Sequence, residues 1–240
     1  MTALLSIAGV SKRYGALKVT DDVTLSVDTG ETLGILGPNG AGKTTLFNLI
    51  SGDVRADRGT ITFAGSDISA VPAYRRCRAG IGRSYQVPQP YGAMTVFENC
   101  LVAATFGAEL SEHEAYPLCV DVLDKTGLLK KANELAGGLP LLDRKRLELA
   151  RALSTRPQLL LLDEIAGGLT EHEAAVLVGE IKAIKAQGVT MIWIEHVVHA
   201  LLAVADRLLV LNFGAVLAEG KPLDVLENPE VKRVYMGLEA

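Results

Sequence analysis

Residues Gly37-Pro38-Asn39-Gly40-Ala41-Gly42-Lys43-Thr44 match G-x-x-x-x-G-K-[ST], the phosphate-binding pattern known as Walker A. Residues 31–36 before it are short and apolar and read as a buried strand. Residues 45–50 after it carry apolar side chains at helical spacing. The pattern therefore stands between a strand and a helix, where it can work. Glycines allow the backbone to turn its N–H groups inward, and the positive end of the following helix adds to that row of donors. Lys43 is placed to reach β- and γ-phosphates, and the Thr44 hydroxyl to coordinate a magnesium ion. A bare glycine-rich turn would need neither the lysine nor the threonine.

The 240 residues are enough for one large domain, or a domain carrying a lobe, and 49% hydrophobic content supports a sizeable core. A formal net charge of -4 gives no electrostatic reason to expect nucleic-acid binding. Cys77, Cys100 and Cys119 form no C-x-x-C pair, and a reduced, cytosolic compartment is the simplest reading. Residues 1–10 have no basic leading segment and read as a strand, not a signal peptide. No run of eighteen apolar residues occurs, so any membrane span would be supplied by another chain.

In chain order, residues 4–10 and 19–27 read as strands, with Tyr14 just before the second. Residues 59–65 read as a short alternating strand, and residues 72–79 as a helix whose Arg75, Arg76 and Arg78 are expected to form a solvated face. Ile81 to Tyr85 lead into Gln86 and the breakers Pro88 and Pro90. From 94 to about 155 the pattern is helical: residues 95–104, a helix capped by Ser111 with Glu114, and residues 141–154. Four leucines, residues 159–162, then return as a buried strand running into Asp163-Glu164. Thr170 with Glu173 caps a helix to about 187, residues 190–194 form a strand ending at Glu195-His196, residues 199–204 are helical, and residues 208–211 and 215–219 are strands. Strands alternating with helices predict a mostly parallel sheet, with ligand groups gathered at the carboxyl ends of its strands.

Four leucines before Asp163-Glu164 suit a strand that delivers carboxylates beside the phosphate loop. Asp163 would hold a magnesium shell, and Glu164 would polarise the attacking water. Gln86 and His196 each say little alone. With Tyr14, the phosphate loop, the helical insertion and the Asp-Glu pair in this order, the chain resembles the ATP-binding subunit of ABC transporters over nearly its whole length. That resemblance implies an α/β P-loop NTPase core with an antiparallel β group, and a helical subdomain at about residues 88–156 within a single nucleotide-binding domain, residues 1–240. It implies that Tyr14 stacks on adenine, and that Gly37, Pro38, Asn39, Gly40, Ala41, Gly42, Lys43, Thr44 and Thr45 bind ATP. It further implies that Thr44, Gln86 and Asp163 hold Mg2+, that Glu164 is the catalytic carboxylate, and that Gln86 and His196 meet the γ-phosphate. The stretches 80–86 and 94–99, Ala218-Glu219-Gly220-Lys221-Pro222 and the tail Val234-Tyr235-Met236-Gly237 are similar to branched-chain amino acid importer ATPases; amide and urea importers look alike.

The family's signature, close to Leu-Ser-Gly-Gly-Gln, falls by spacing at Leu139-Pro140-Leu141-Leu142-Asp143, followed by Arg144-Lys145-Arg146. Proline replaces the serine and leucine the second glycine, removing donors normally offered to the opposite subunit's nucleotide. Ile165 and Thr170 also depart from the usual proline and aspartate or asparagine. The reading is thus an ATPase subunit paired with a second ATP-binding subunit, most simply a different chain. It would sit peripherally on the inner face of the membrane through permease subunits, served indirectly by a substrate-binding protein. A soluble non-transport ATPase of the same class, or a regulatory ATP-binding module with little turnover, are the alternatives.

Overall fold

The structure is a computed structural model and describes residues 3–236; Gly237 of the tail quoted above lies outside them. The chain opens with an antiparallel hairpin, β1 (Leu5–Tyr14) and β2 (Leu17–Val27), and then runs into the central strand β3 (Thr32–Leu36). Helix α1 (Lys43–Ser51) follows, then β4 (Arg58–Phe63) beside β1, the two-residue β5 (Ser66–Asp67), α2 (Ala73–Arg78) and β6 (Ile81–Arg83). Helices α3 (Val96–Gly107), α4 (Glu112–Lys125) and α5 (Leu141–Ser154) precede β7 (Leu159–Asp163). The remainder is α6 (Glu171–Lys185), β8 (Thr190–Ile194), α7 (Val198–Leu202), β9 (Arg207–Asn212), β10 (Ala215–Gly220), α8 (Pro222–Glu227) and α9 (Pro229–Met236).

Two sheets result. One is antiparallel, in the order β2-β1-β4-β5. The other is ordered β10-β9-β3-β8-β7-β6 and is parallel except where β10 pairs antiparallel with β9. This is the mostly parallel α/β fold expected from the sequence. The inner strands are apolar at nearly every position because both of their faces are covered. In β7, Leu160 and Leu162 enter a core shared with α3 to α7, while Leu159 and Leu161 enter a second core shared with α1 and the antiparallel sheet. Met191 and Trp193 of β8 alternate with Ile192 and Ile194 in the same way.

The capping boxes read from the sequence form at Ser111 and Thr170, and the structure adds a third at Thr95, each with a glutamate three residues on. Strands β1 and β2 extend further toward each other than their apolar stretches suggest, because the hairpin ladder carries polar residues as far as Tyr14 and Leu17. The short helices α8 and α9 have no counterpart in the sequence reading.

One expectation is overturned. Arg76 does not lie on a solvated face: it is 2% exposed, and its guanidinium donates to Leu49 O (2.7 Å), Ile50 O (2.9 Å), Val71 O (2.8 Å) and Ser69 O (3.2 Å). Leu49 and Ile50 belong to the last turn of α1, whose carbonyls have no partner within the helix. The cation caps the end of α1 opposite the phosphate loop. Gly52 leaves room for it, since a Cβ there would come within 2.8 Å of Arg76 Nε. No helix among the described residues is long and apolar enough to cross a membrane.

Candidate nucleotide site

The loop 37–42 leaves the carboxyl end of β3 and enters α1 at Lys43. Gly40 and Gly42 hold φ of 80° and 99°, and a Cβ on Gly42 would collide with Val19 O of β2. Glycine is required there because the loop is pressed against the hairpin. Lys43 is buried and donates from Nζ to Gly37 O (2.7 Å) and Pro38 O (3.1 Å), which arches the chain over its own ammonium. Burial lowers its pKa, opposed by the negative fields of Glu164 and Asp163.

A cleft runs along this loop from Asn39 to Thr45 and is closed by Val19, Gln86, Glu164 and His196. It brings together residues that β3, β6, β7 and β8 deliver at one edge of the sheet. Tyr14 is not part of that lining. It ends β1 at the hairpin tip, 48% exposed, with Lys12 Nζ 5.6 Å from its ring centroid.

Glu164 is the meeting point. Gln86 Nε2 donates to its Oε2 at 2.5 Å, and His196 Nε2 lies 2.7 Å from its Oε1. Its backbone is left-handed at φ 46°, an arrangement that costs a non-glycine residue of order 1 kcal/mol and that functional sites retain. Asp163, at the end of β7, is almost fully buried, which pushes its carboxyl above the usual range; Arg83 works against this, donating from Nη2 to Oδ2 at 3.0 Å. Asp163 Oδ1 has no hydrogen-bond partner. It lines a second cleft with Thr44 and Gln86, a hydroxyl, amide and carboxylate set suited to a hydrated hard cation shared with phosphate oxygens. No cluster of three His, Cys, Asp or Glu capable of holding a metal on its own exists among the described residues.

Three buried ionic residues here carried no role in the sequence reading. Arg83 Nη1 binds Asn48 Oδ1 (2.7 Å), Ser51 Oγ (3.0 Å) and Asp53 Oδ2 (2.9 Å), joining α1 to Asp163. Glu195 accepts from Ala166 N (2.7 Å) and His196 N (3.1 Å), tying the segment after Glu164 to the one bearing His196. Lys145 reaches Gln86 O at 2.6 Å. Nothing local distinguishes these residues from surface charges; only the tertiary fold buries them.

The model of the ABC transporter family matches residues 20–167, which contain the phosphate loop and end just past Asp163-Glu164. The chain belongs to the ABC transporter family. Members of this ATPase family bind ATP and hydrolyse it for transport, and so does this chain. Over 98% of both chains it is 35% identical to the high-affinity branched-chain amino acid transport ATP-binding protein BraF of Pseudomonas aeruginosa, and 34% identical to LivG of Escherichia coli, which carries the same description. The lipopolysaccharide export system ATP-binding protein LptB of Haemophilus influenzae is 32% identical over 98% of each chain. A crystal structure of the ADP conformation of an ATP-binding cassette from an ABC transporter superposes with a TM-score of 0.90. It shares 31% identity and covers 99% of this chain and 100% of its own.

In this ABC ATPase the signature stretch has unusual chemistry. Pro140 occupies the cap position of α5, supplying neither N–H nor side-chain cap, and Leu141 is 44% exposed at the first helical position. Asp143 turns inward to Lys131 (2.5 Å) and Arg146 (3.2 Å). Just ahead of this stretch, Gly137 and Gly138 lie in a 3-10 turn, where Gly137 N donates to Gly92 O at 3.1 Å.

Proposed function

We propose that this chain binds Mg-ATP along residues 37–45 and, paired with a second ATP-binding subunit on membrane permease subunits, powers import of branched-chain amino acids or a related amino acid or amide. The observation that carries the proposal is the convergence of Gln86 and His196 on Glu164 beside the phosphate loop. Near-full-length likeness to BraF and LivG supports the substrate class.

In this reading Tyr14 stacks on the adenine from the hairpin tip, and the loop N–H groups with Lys43 hold the β- and γ-phosphates. Thr44, Gln86 and Asp163 hold the magnesium ion; the unpartnered Asp163 Oδ1 fits that role. An ion held by these residues would supply positive charge that offsets the charge of the phosphates. Glu164 orients and polarises the water for in-line attack on the γ-phosphate, with no covalent enzyme intermediate. Gln86 and His196 exchange their contacts with Glu164 for contacts with the γ-phosphate. Residues 88–156 act as a helical subdomain. The chain works at the cytoplasmic face of the membrane, reached through its permeases, which a substrate-binding protein supplies.

Pro140 and Leu142 support a heterodimer. Two subunits head to tail make two composite sites, each pairing one chain's phosphate loop with the other's signature. A partner with an intact signature would complete the site on this chain's loop, while the site using Pro140 mainly holds ATP. The test is ATPase activity and leucine uptake of the complex reconstituted with either subunit's glutamate replaced. Glu164→Gln here is expected to cost more than the partner's change. Strong cooperative hydrolysis by this chain alone, or a larger loss from the partner's change, would overturn the asymmetry; ATPase activity without uptake of any amino acid or amide would overturn the substrate class.

A further inference from the structure

Helix α5 carries three charged residues at a spacing of three: Lys145, Glu148 and Arg151. That spacing puts them on one face of the helix, and all three are committed to the same stretch, Tyr85 to Tyr91. Lys145 Nζ donates to Gln86 O at 2.6 Å. The Glu148 carboxylate lies beside Tyr85 and Gln89, whose backbone N–H groups favour its charged form against burial. Arg151 donates to Gln89 O at 2.9 Å and lies over the Tyr91 ring at 5.0 Å. Two prolines, Pro88 and Pro90, keep this stretch out of any sheet or helix. Side chains satisfy part of its backbone instead: α5 serves Gln86 O and Gln89 O, and Asn99 of α3 bonds both N–H and C=O of Tyr91.

Lys145 differs from the other two in reaching beyond both this stretch and its own helix, to Glu164 O, at 3.3 Å. Gln86 and Glu164 meet through their side chains, and a single ammonium holds both of their backbones from behind. Lys145 is buried, so these carbonyls replace water around the charge; Glu195, Glu164, Glu148 and Asp163 surround it with negative field. Glu164 is the residue whose left-handed backbone needs external support. An ammonium with three rotatable donors can serve two carbonyls at once, as an apolar residue of the same length cannot.

We infer that Lys145 is a positioning residue for ATP hydrolysis, fixing the Gln86–Glu164 pair from the helix that begins at the signature. It touches neither phosphate nor the attacking water; it sets where the two side chains that do so begin. The inference rests on the reading of Glu164 and Gln86 given above. It also means that the helix whose first turn faces the partner's nucleotide is bonded, one turn later, to the water-handling pair of the chain's own site.

The experiment uses the complete transporter complex and compares the wild type with Lys145→Met, Lys145→Arg and Lys145→Gln. Lys145→Met is expected to lower kcat for ATP at least tenfold, with KM changed less than threefold. Lys145→Arg, which keeps charged donors, is expected to recover most of the loss. In a Gln86→Ala background the Lys145→Met loss should shrink at least threefold, because half of what the lysine positions is gone. A purely structural lysine would lower the melting temperature but leave kcat unchanged below it, and that result overturns the inference. So does a rise in KM alone, or an equal kcat loss in both backgrounds. Should Lys145→Met fail to assemble, Lys145→Gln, which can serve only one carbonyl well, is held to the same criteria. A wild-type complex without ATPase activity would defeat the functional reading itself. An active wild type with an equally active Lys145→Met complex would defeat the positioning role alone.

Discussion

Replacing Arg76 by methionine tests whether the phosphate-binding helix depends on a cap far from its ligand. Methionine keeps the unbranched stem but removes four donated hydrogen bonds. Two of the acceptors, Leu49 O and Ile50 O, are bonded in buried surroundings and gain no water in exchange. Each unsatisfied buried acceptor costs about 1–3 kcal/mol. The lost cation at the end of α1 adds about 0.5–1 kcal/mol. Relief from burying a guanidinium, whose pKa burial already lowers, offsets part of this. The net expectation is a loss of about 3–5 kcal/mol in urea unfolding, or roughly 10 °C in melting temperature for a chain of this size. Below the new melting temperature ATP affinity should stay within about threefold, because the cap acts on the far end of α1. A lysine in place of the arginine would reach fewer of the carbonyls, so Arg76→Lys should fall between. A loss under about 1 kcal/mol from Arg76→Met would show that the carbonyls are satisfied without the guanidinium and refute the assignment.

Lys43→Ala should weaken ATP binding by about tenfold to a hundredfold, the size of one lost charge-assisted contact, as read by isothermal titration; unchanged affinity would remove the lysine from the phosphate site. Glu164→Gln should retain ATP binding and lose at least about a hundredfold in turnover, and normal turnover would move the general base elsewhere. The pH profile of Arg83→Met follows from Asp163, whose pKa is raised by burial and lowered by Arg83. In the proposed site the ion would need the carboxylate, so activity is expected to fail as pH falls through that pKa. Without the guanidinium the pKa rises further, and the acid limb of kcat/KM should move to higher pH and be partly recovered by added Mg2+. An unmoved or downward-moving limb would contradict the pairing.

The fold was legible wherever apolar periodicity and cap chemistry agree. Residues 141–154 and 190–194 coincide with α5 and β8, and the glutamates of the two capping boxes read at Ser111 and Thr170 stand where side-chain oxygens and N–H groups can meet. Arg76 was not legible. Three arginines in four residues look solvated, and which one turns inward is decided by the carbonyl end of α1, some twenty-five residues earlier in the chain. The same holds for Arg83, Lys145 and Glu195: each sits in an ordinary polar context, and each acquires partners only when β6, α5 and β8 converge. In the candidate site, the phosphate loop and the Asp163-Glu164 pair stand out because turn geometry and strand burial constrain neighbouring residues. The approach of Gln86 and His196 to Glu164 depends on sheet order, which no short motif contains.

The four leucines of β7 also bear on how this protein can misfold. A strand with one polar face resists sliding, because a slip of one residue would drive charge into the core. Here both faces are leucine, so sliding along β8 would exchange one apolar set for another at little cost in burial. What makes the slip expensive lies at the ends: Gln158 N and Leu159 N both bond Gly80 O, and Arg83 holds Asp163. A chain misaligned by one residue would carry Asp163 and Glu164 about 3.3 Å along the strand, off the phosphate loop, while keeping a well-buried interior. Such a species would be compact but would lack the assembled site. In β7, therefore, the ionic contact between Arg83 and Asp163 also helps to set the register of the strand.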